Sequence, residues 1–217
     1  MPPPYRLIVF DFDGTLVDTL GDISFYVNEV LRERGLALVS ESRVREAIGW
    51  GVHELLKILA PDFCADPAGL EEAVRTFKER YTAKPVRQTR AFPQVVEMLQ
   101  GPLKGVHKAI VTNKPHDITL RVLEELKLTD CFEAVIGMNA GFEPKPHPGA
   151  IQHLLKKFAV NVTETVYVGD SPVDAQASSA AGIDFAWMDY GYQAVETRES
   201  RYSFSSAAEW SRLVSSS

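Results

Sequence analysis

The chain is poor in cysteine, in runs of positive charge and in long apolar stretches, and each shortage closes a class of function. Its 217 residues include 2 cysteines. Cys64 and Cys131 lie too far apart for any metal-binding or redox spacing. A disulfide framework and a zinc module are thereby excluded, and two reduced thiols in a cytoplasmic protein are expected. No cluster of Lys and Arg forms a basic stripe, and the net charge is -6, so nucleic acid is not an expected partner. The same balance gives an anionic substrate no long-range attraction, which leaves its capture to local cations and a metal ion. No segment approaches the roughly 18 consecutive apolar residues of a membrane helix, so no membrane is expected as a partner. Met1-Pro2-Pro3-Pro4-Tyr5-Arg6 lacks the basic start and apolar centre of a signal peptide. Internal repeats and low-complexity regions are missing apart from short ends, and the Ser215-Ser216-Ser217 tail reads as disordered.

What is present is a hydrophobic content of 45%, enough for one large domain or one domain carrying a smaller one. Residues 5–10 read as a strand, with Leu7-Ile8-Val9-Phe10 as its apolar run. The texture then becomes helical. Leu20, Ile23, Val27, Val30 and Leu31 recur at helical spacing up to Gly35. Three more such patterns follow: one capped by Ser40 and broken at Gly49-Trp50-Gly51, one closed by Pro61 and one closed by Pro85. No strand pattern appears between residues 18 and 88, which read as a small helical bundle. After about residue 89 strands and helices alternate. Strands are expected over residues 106–112, 134–136, 165–168 and 185–188, and helices over 94–99, 116–126, 147–158 and 174–181. That alternation implies an α/β fold, a Rossmann-like parallel sheet core with helices on both faces. The all-α block 18–88 is then an insertion after the first strand, and residues 1–17 with 89–217 make the core.

The stretch after the first strand, Asp11-Phe12-Asp13-Gly14-Thr15, carries the chemistry. Two carboxylates at the end of a buried strand are costly as packing, and the glycine permits a sharp turn and close approach to a ligand. The pair suits a nucleophile and an acid/base sharing one phosphate and one metal ion; a turn capped by its own aspartates is the plainer alternative. Open parallel sheets bind ligands at the carboxyl ends of their strands. The second strand ends in Thr112-Asn113-Lys114. The third is followed by Glu143-Pro144-Lys145-Pro146, and the fourth ends in Gly169-Asp170-Ser171-Pro172-Val173-Asp174. Four such endings delivered to one edge are a strong signal.

In these four segments the chain resembles the haloacid dehalogenase-like superfamily of phosphatases along essentially its whole length. Thr112-Asn113-Lys114-Pro115 with Lys145-Pro146 is similar to the phosphoglycolate phosphatase branch, and the helical block is similar to that superfamily's inserted cap. The resemblance implies that Asp11 is the nucleophile and forms an aspartyl phosphate, while Asp13 protonates the leaving alcohol and then activates water. It implies Mg2+ held by Asp11, the backbone carbonyl of Asp13, and Asp170. Lys145 would pair with Asp11 and a phosphate oxygen. Thr112, Asn113 and backbone N–H groups near Gly14 would bind substrate. Asp174 would orient Lys145 or a metal-bound water, or else cap its helix. Asp18 reads as a cap of the first helix of the block. Arg45, Arg87 and Arg90 are three candidates for holding a substrate carboxylate. The expected function is a Mg2+-dependent phosphatase of a small phosphorylated metabolite, with 2-phosphoglycolate as candidate. The alternatives are a β-phosphoglucomutase-like sugar phosphomutase, a pyrophosphatase or nucleotidase, and remotely a non-catalytic binding protein. A monomer or homodimer is expected.

Overall fold

The computed structural model describes residues 5–194 and 200–215; the tail beyond Ser215 lies outside that range. In chain order the elements are β1 (Leu7–Phe10), β2 (Val17–Asp18), α1 (Leu20–Glu33), α2 (Glu41–Ala47), α3 (Val52–Leu59), α4 (Pro61–Cys64), α5 (Pro67–Ala83), β3 (Arg90–Ala91), α6 (Val95–Gln100), β4 (His107–Pro115), α7 (His116–Glu125), β5 (Ala134–Met138), α8 (Gly149–Phe158), β6 (Thr165–Gly169), α9 (Pro172–Ala181), β7 (Asp184–Met188) and β8 (Tyr202–Phe204).

β1 is apolar at every position because both of its faces are covered. Leu7 and Val9 join one layer, with Ala109, Ile151, Leu154 and Tyr167. Ile8 and Phe10 join the opposite layer, with Leu123, Phe132 and Trp210. The sheet runs in the order β5-β4-β1-β6-β7-β8 with every adjacent pair parallel. β1 is therefore central and strand order reverses around it, which puts its carboxyl end at the crevice where such sheets bind ligands. The fold is the α/β, Rossmann-like parallel sheet with helices on both faces that the alternating pattern implied.

Helices α1 to α5 form a separate group. α1 lies against α2 and α5, and α3 against α2, α4 and α5, while α5 also meets core helix α7. Chain enters and leaves this group through a ribbon that local pattern did not show: β2 pairs antiparallel with β3, Val17 opposite Ala91 and Asp18 opposite Arg90. Among the described residues no helix is long and apolar enough to cross a membrane.

Four local details add to expectation or differ from it. Pro61 follows the end of α3 at Leu59, as expected, and in addition opens the short α4 at a first-turn position, where its missing N–H is not needed. β4 runs on past Thr112 to Pro115, with a register shift between Val111 and Pro115 that loosens the ladder at Thr112-Asn113-Lys114. α9 begins at Pro172, two residues before Asp174, with Ser171 as its cap. β8 adds a sixth, edge strand of 3 residues, too short for periodicity to reveal.

Candidate active site

Asp11 leaves β1 directly into the crevice and is buried. Lys145, carried between β5 and α8, is buried beside it. Its ammonium lies 2.9 Å from Asp11 Oδ1, 2.6 Å from Asp174 Oδ1 and 2.9 Å from the Tyr167 hydroxyl. The Asp11 contact is a buried ion pair, and apart from Lys145 no group among the described residues donates to Asp11 Oδ1. Burial, followed by the Asp174 carboxylate, pushes Asp11 up to about 6, with Lys145 pulling the other way. Burial alone would lower Lys145, but the Asp11 and Asp174 carboxylates outweigh it and hold the ammonium charged.

Asp170 ends β6 and faces Asp11 from the neighbouring strand. Its Oδ1 accepts from the Thr15 hydroxyl at 2.8 Å and its Oδ2 from the Tyr192 N–H at 2.7 Å. Two glycines let chain close on this carboxylate. A Cβ on Gly14, which has φ +85, would lie 2.3 Å from Asp170 Oδ2, and one on Gly191 would lie 2.1 Å from Asp170 Cβ. Gly14's N–H is spent on the Val17 carbonyl at 3.0 Å, so the expected role of Gly14 in binding substrate gives way to one of shape. Burial, then Asp174 and Asp11, push Asp170 well above the ordinary carboxylate range.

Carboxylate oxygens of Asp11, Asp170 and Asp174 lie within 4.8 Å of one another. Three carboxylates and one lysine leave excess negative charge, and apart from Lys145 nothing among the described residues donates to Asp11 Oδ1. A hard divalent ion such as Mg2+ fits both facts. Asp11 and Asp170 are the side chains able to hold it. Asp174 is saturated, because its Oδ2 accepts from the Asp170 N–H, the Ser171 N–H and the Ser171 hydroxyl, and its Oδ1 takes Lys145. It therefore serves in a capping box and anchors the lysine at once.

The Asp13 carboxylate stands apart from that cluster. Its Oδ1 accepts from the Thr19 hydroxyl at 2.7 Å and from Lys114 Nζ at 3.0 Å. Asp18 is not the cap residue of α1, which is Thr19. Instead its Oδ1 accepts a long 3.4 Å bond from Leu20 N–H and a 3.0 Å bond from the Tyr192 hydroxyl.

Thr112 is buried within β4, and its hydroxyl accepts from the Lys114 N–H at 3.3 Å. Asn113, expected to bind substrate, is consumed by the scaffold. Its amide nitrogen donates to the Gly49 and Lys145 carbonyls, both at 3.0 Å, and its oxygen accepts from the Lys145 N–H at 2.8 Å. A cavity opens between Asp11, Asp13 and Thr112 below and Ile23, Ile48, Val52, Leu55, Phe77 and Tyr81 above. Gly49 and Gly51 also line it, while Trp50 between them is 41% exposed and so is no core residue. None of the three candidate arginines lines it. Arg45 lies over the Tyr192 ring, Arg87 over the Phe25 ring, and Arg90 faces Asp18 at 3.9 Å. The cation in its lining is Lys114.

Two tyrosines went unread in the sequence. Tyr167 left a faint mark as a polar residue inside an apolar strand. It donates to the Val111 carbonyl at 2.5 Å and steadies Lys145. Tyr192 left none. Its hydroxyl accepts from the Thr19 and Leu20 N–H groups, which caps α1 from the far end of the chain.

Comparison with known proteins agrees with this arrangement. The family model for haloacid dehalogenase-like hydrolases matches residues 8–188. Phosphoglycolate phosphatase 1 of Pseudomonas aeruginosa is 35% identical over 192 residues, which cover 86% of this chain and 70% of that protein. The phosphoglycolate phosphatase of Aquifex aeolicus is 30% identical over 211 residues, 96% of each chain. A Haemophilus somnus crystal structure, described as a "predicted phosphoglycolate phosphatase", superposes with TM-score 0.90 at 28% identity over 97% of this chain and 98% of that one. A match that runs from β1 to the end of β7, with relatives this similar over most of their length, makes the chain an enzyme of the haloacid dehalogenase-like hydrolase family.

Proposed function

We propose that this enzyme hydrolyses a small phosphate monoester with Mg2+ through a phosphorylated Asp11. The name shared by the Pseudomonas and Aquifex relatives makes 2-phosphoglycolate the first ester to test. One observation carries the reading: the buried Asp11 Oδ1 sits 2.9 Å from the Lys145 ammonium, and Asp11 offers an oxygen within 4.8 Å of oxygens of Asp170 and Asp174. A buried carboxylate that has a lysine beside it and further carboxylates close by suits attack on phosphorus and contact with a metal ion.

In the first step an Asp11 oxygen bonds to phosphorus as the bond to the ester oxygen breaks, and Asp13 gives its proton to the departing alcohol. In the second, Asp13 takes a proton from water. That water attacks phosphorus, releasing phosphate and free Asp11. Lys145 offsets charge on the phosphoryl oxygens, and Asp174 and Tyr167 hold it in place. Mg2+, held by Asp11 and Asp170, supplies charge that offsets repulsion between carboxylate and phosphate. Residues 18–88 act as a cap over the core 1–17 and 89–217 and exclude water from the cavity.

The test is phosphate release from 2-phosphoglycolate, sugar phosphates, nucleotides and pyrophosphate, with and without Mg2+, for wild type and Asp11→Asn. Mg2+-dependent release abolished in the variant is expected. No release from any ester, or release unchanged by the substitution, overturns the reading.

A further inference from the structure

The contact between Lys114 and Tyr81 crosses from the core to the helical block, and neither the attack on phosphorus nor the metal cluster requires it. Lys114 is 6% exposed. Its ammonium lies 3.0 Å from Asp13 Oδ1, 3.3 Å from Asp13 Oδ2 and 3.1 Å from the Tyr81 hydroxyl, and it sits 4.4 Å from the centre of the Tyr81 ring. Asp13 and Lys114 belong to the core; Tyr81 belongs to α5. The Thr19 hydroxyl, at the start of α1, donates to the same Asp13 Oδ1 at 2.7 Å. Asp13 Oδ1 therefore carries two donors, and Oδ2 is the less engaged oxygen, free to face the leaving group.

We propose that Lys114 and Tyr81 are positioning residues that make the proton-transfer geometry of Asp13 depend on the helical block being closed over the core. The inference rests on the acid/base role given to Asp13 above. An ammonium on a flexible four-carbon stem has no fixed direction of its own. Here the Tyr81 hydroxyl and ring face give it one, and they do so only while α5 stands over β4. If the block swings away, Lys114 loses both, and the Asp13 carboxylate loses one of the two groups that orient it. Closure then does more than shed water: it aims the acid.

A double-mutant cycle tests this on the full-length protein with Mg2+, using 2-phosphoglycolate or whichever ester of the panel turns over fastest. Tyr81→Phe keeps the ring and removes the hydroxyl. It is expected to lower kcat ~10-fold with KM changed less than ~2-fold, and to change kcat less than ~2-fold when Asp13 is already Asn. Lys114→Met is expected to lower kcat at least as much and to lose its effect in the same background. Equal losses in both backgrounds mean a structural role, and unchanged kcat in Tyr81→Phe means no role; either overturns the coupling while wild-type activity leaves the phosphatase reading standing. A wild-type chain that releases no phosphate removes that reading, and the coupling with it.

Discussion

Asn113 grips Lys145 by its backbone at both ends: its amide oxygen accepts from the Lys145 N–H at 2.8 Å and its amide nitrogen donates to the Lys145 carbonyl at 3.0 Å. The same nitrogen reaches the Gly49 carbonyl in the loop over the cavity. Asn113→Ala would leave the two buried Lys145 backbone groups and the half-buried Gly49 carbonyl without these partners and let the lysine drift. Stability should fall by about 2–4 kcal/mol, and kcat by ~100-fold, the scale of a misplacement near 1 Å. Urea unfolding and phosphate release measure the two losses; a variant as stable as wild type would show that the grip contributes little.

Asp22 ties α1 to the strand that returns to the core. Fully buried, its carboxylate accepts from the N–H groups of Arg87, Gln88 and Thr89 and from the Thr89 hydroxyl. Together with the β2–β3 pairing, it locks the two connections of the helical block to each other. Asp22→Ala should cost about 3 kcal/mol, because the buried Thr89 N–H and hydroxyl lose their acceptor together with the less buried Arg87 and Gln88 N–H groups. Thermal or urea unfolding checks it, and a cost below about 1 kcal/mol would mean that water replaces the carboxylate.

Gly14→Ala should weaken the metal site rather than the fold. The new Cβ would press on Asp170 Oδ2 at 2.3 Å, at a φ of +85 that alanine rarely adopts. Disturbing a group that orients a metal ligand typically costs 10–100-fold in affinity, so the Mg2+ needed for half-maximal phosphate release should rise by at least ~10-fold. An unchanged Mg2+ requirement would separate Asp170 from the metal.

Acidity offers a further check on the metal-free protein. Burial and then Asp174 raise Asp11 from 3.8 to about 6, and Asp170 is raised in the same direction. The folded chain thus binds these protons more tightly than the unfolded one. The Asp11 contribution to stability is full below about pH 4 and is lost as pH climbs through about 6, and Asp170 acts in the same direction. For Asp11 the loss is on the order of 3 kcal/mol. Thermal midpoints with a chelator should show this downward contribution, and Asp11→Asn should remove part of it and be the more stable protein at pH 7. Mg2+ should restore wild-type stability at pH 7, by about 2.7 kcal/mol at a hundredfold excess over its Kd. An Asp11→Asn variant less stable than wild type without metal would contradict the crowding of charge described here.

Much of the plan was written locally. An apolar run such as Leu7-Ile8-Val9-Phe10 reads as a strand covered on both faces, and a carboxylate pair at its end is too costly for packing alone, so the central strand and the candidate site at its tip were legible together. Alternating strands and helices then fixed a parallel sheet, whose carboxyl edge gathers whatever polar residues end its strands. Tertiary structure alone decided how those residues were spent. Asn113 closes on a partner 32 residues away, Asp22 on a segment 65 to 67 away, and Lys114 on a carboxylate 101 away. The three arginines ended outside the cavity for the same reason: each had a nearer ring or carboxylate to satisfy. Spacing along the chain sets which way a side chain leaves its strand or helix. What it meets there depends on the closing of distant segments, and a buried polar group takes the partner that folding delivers.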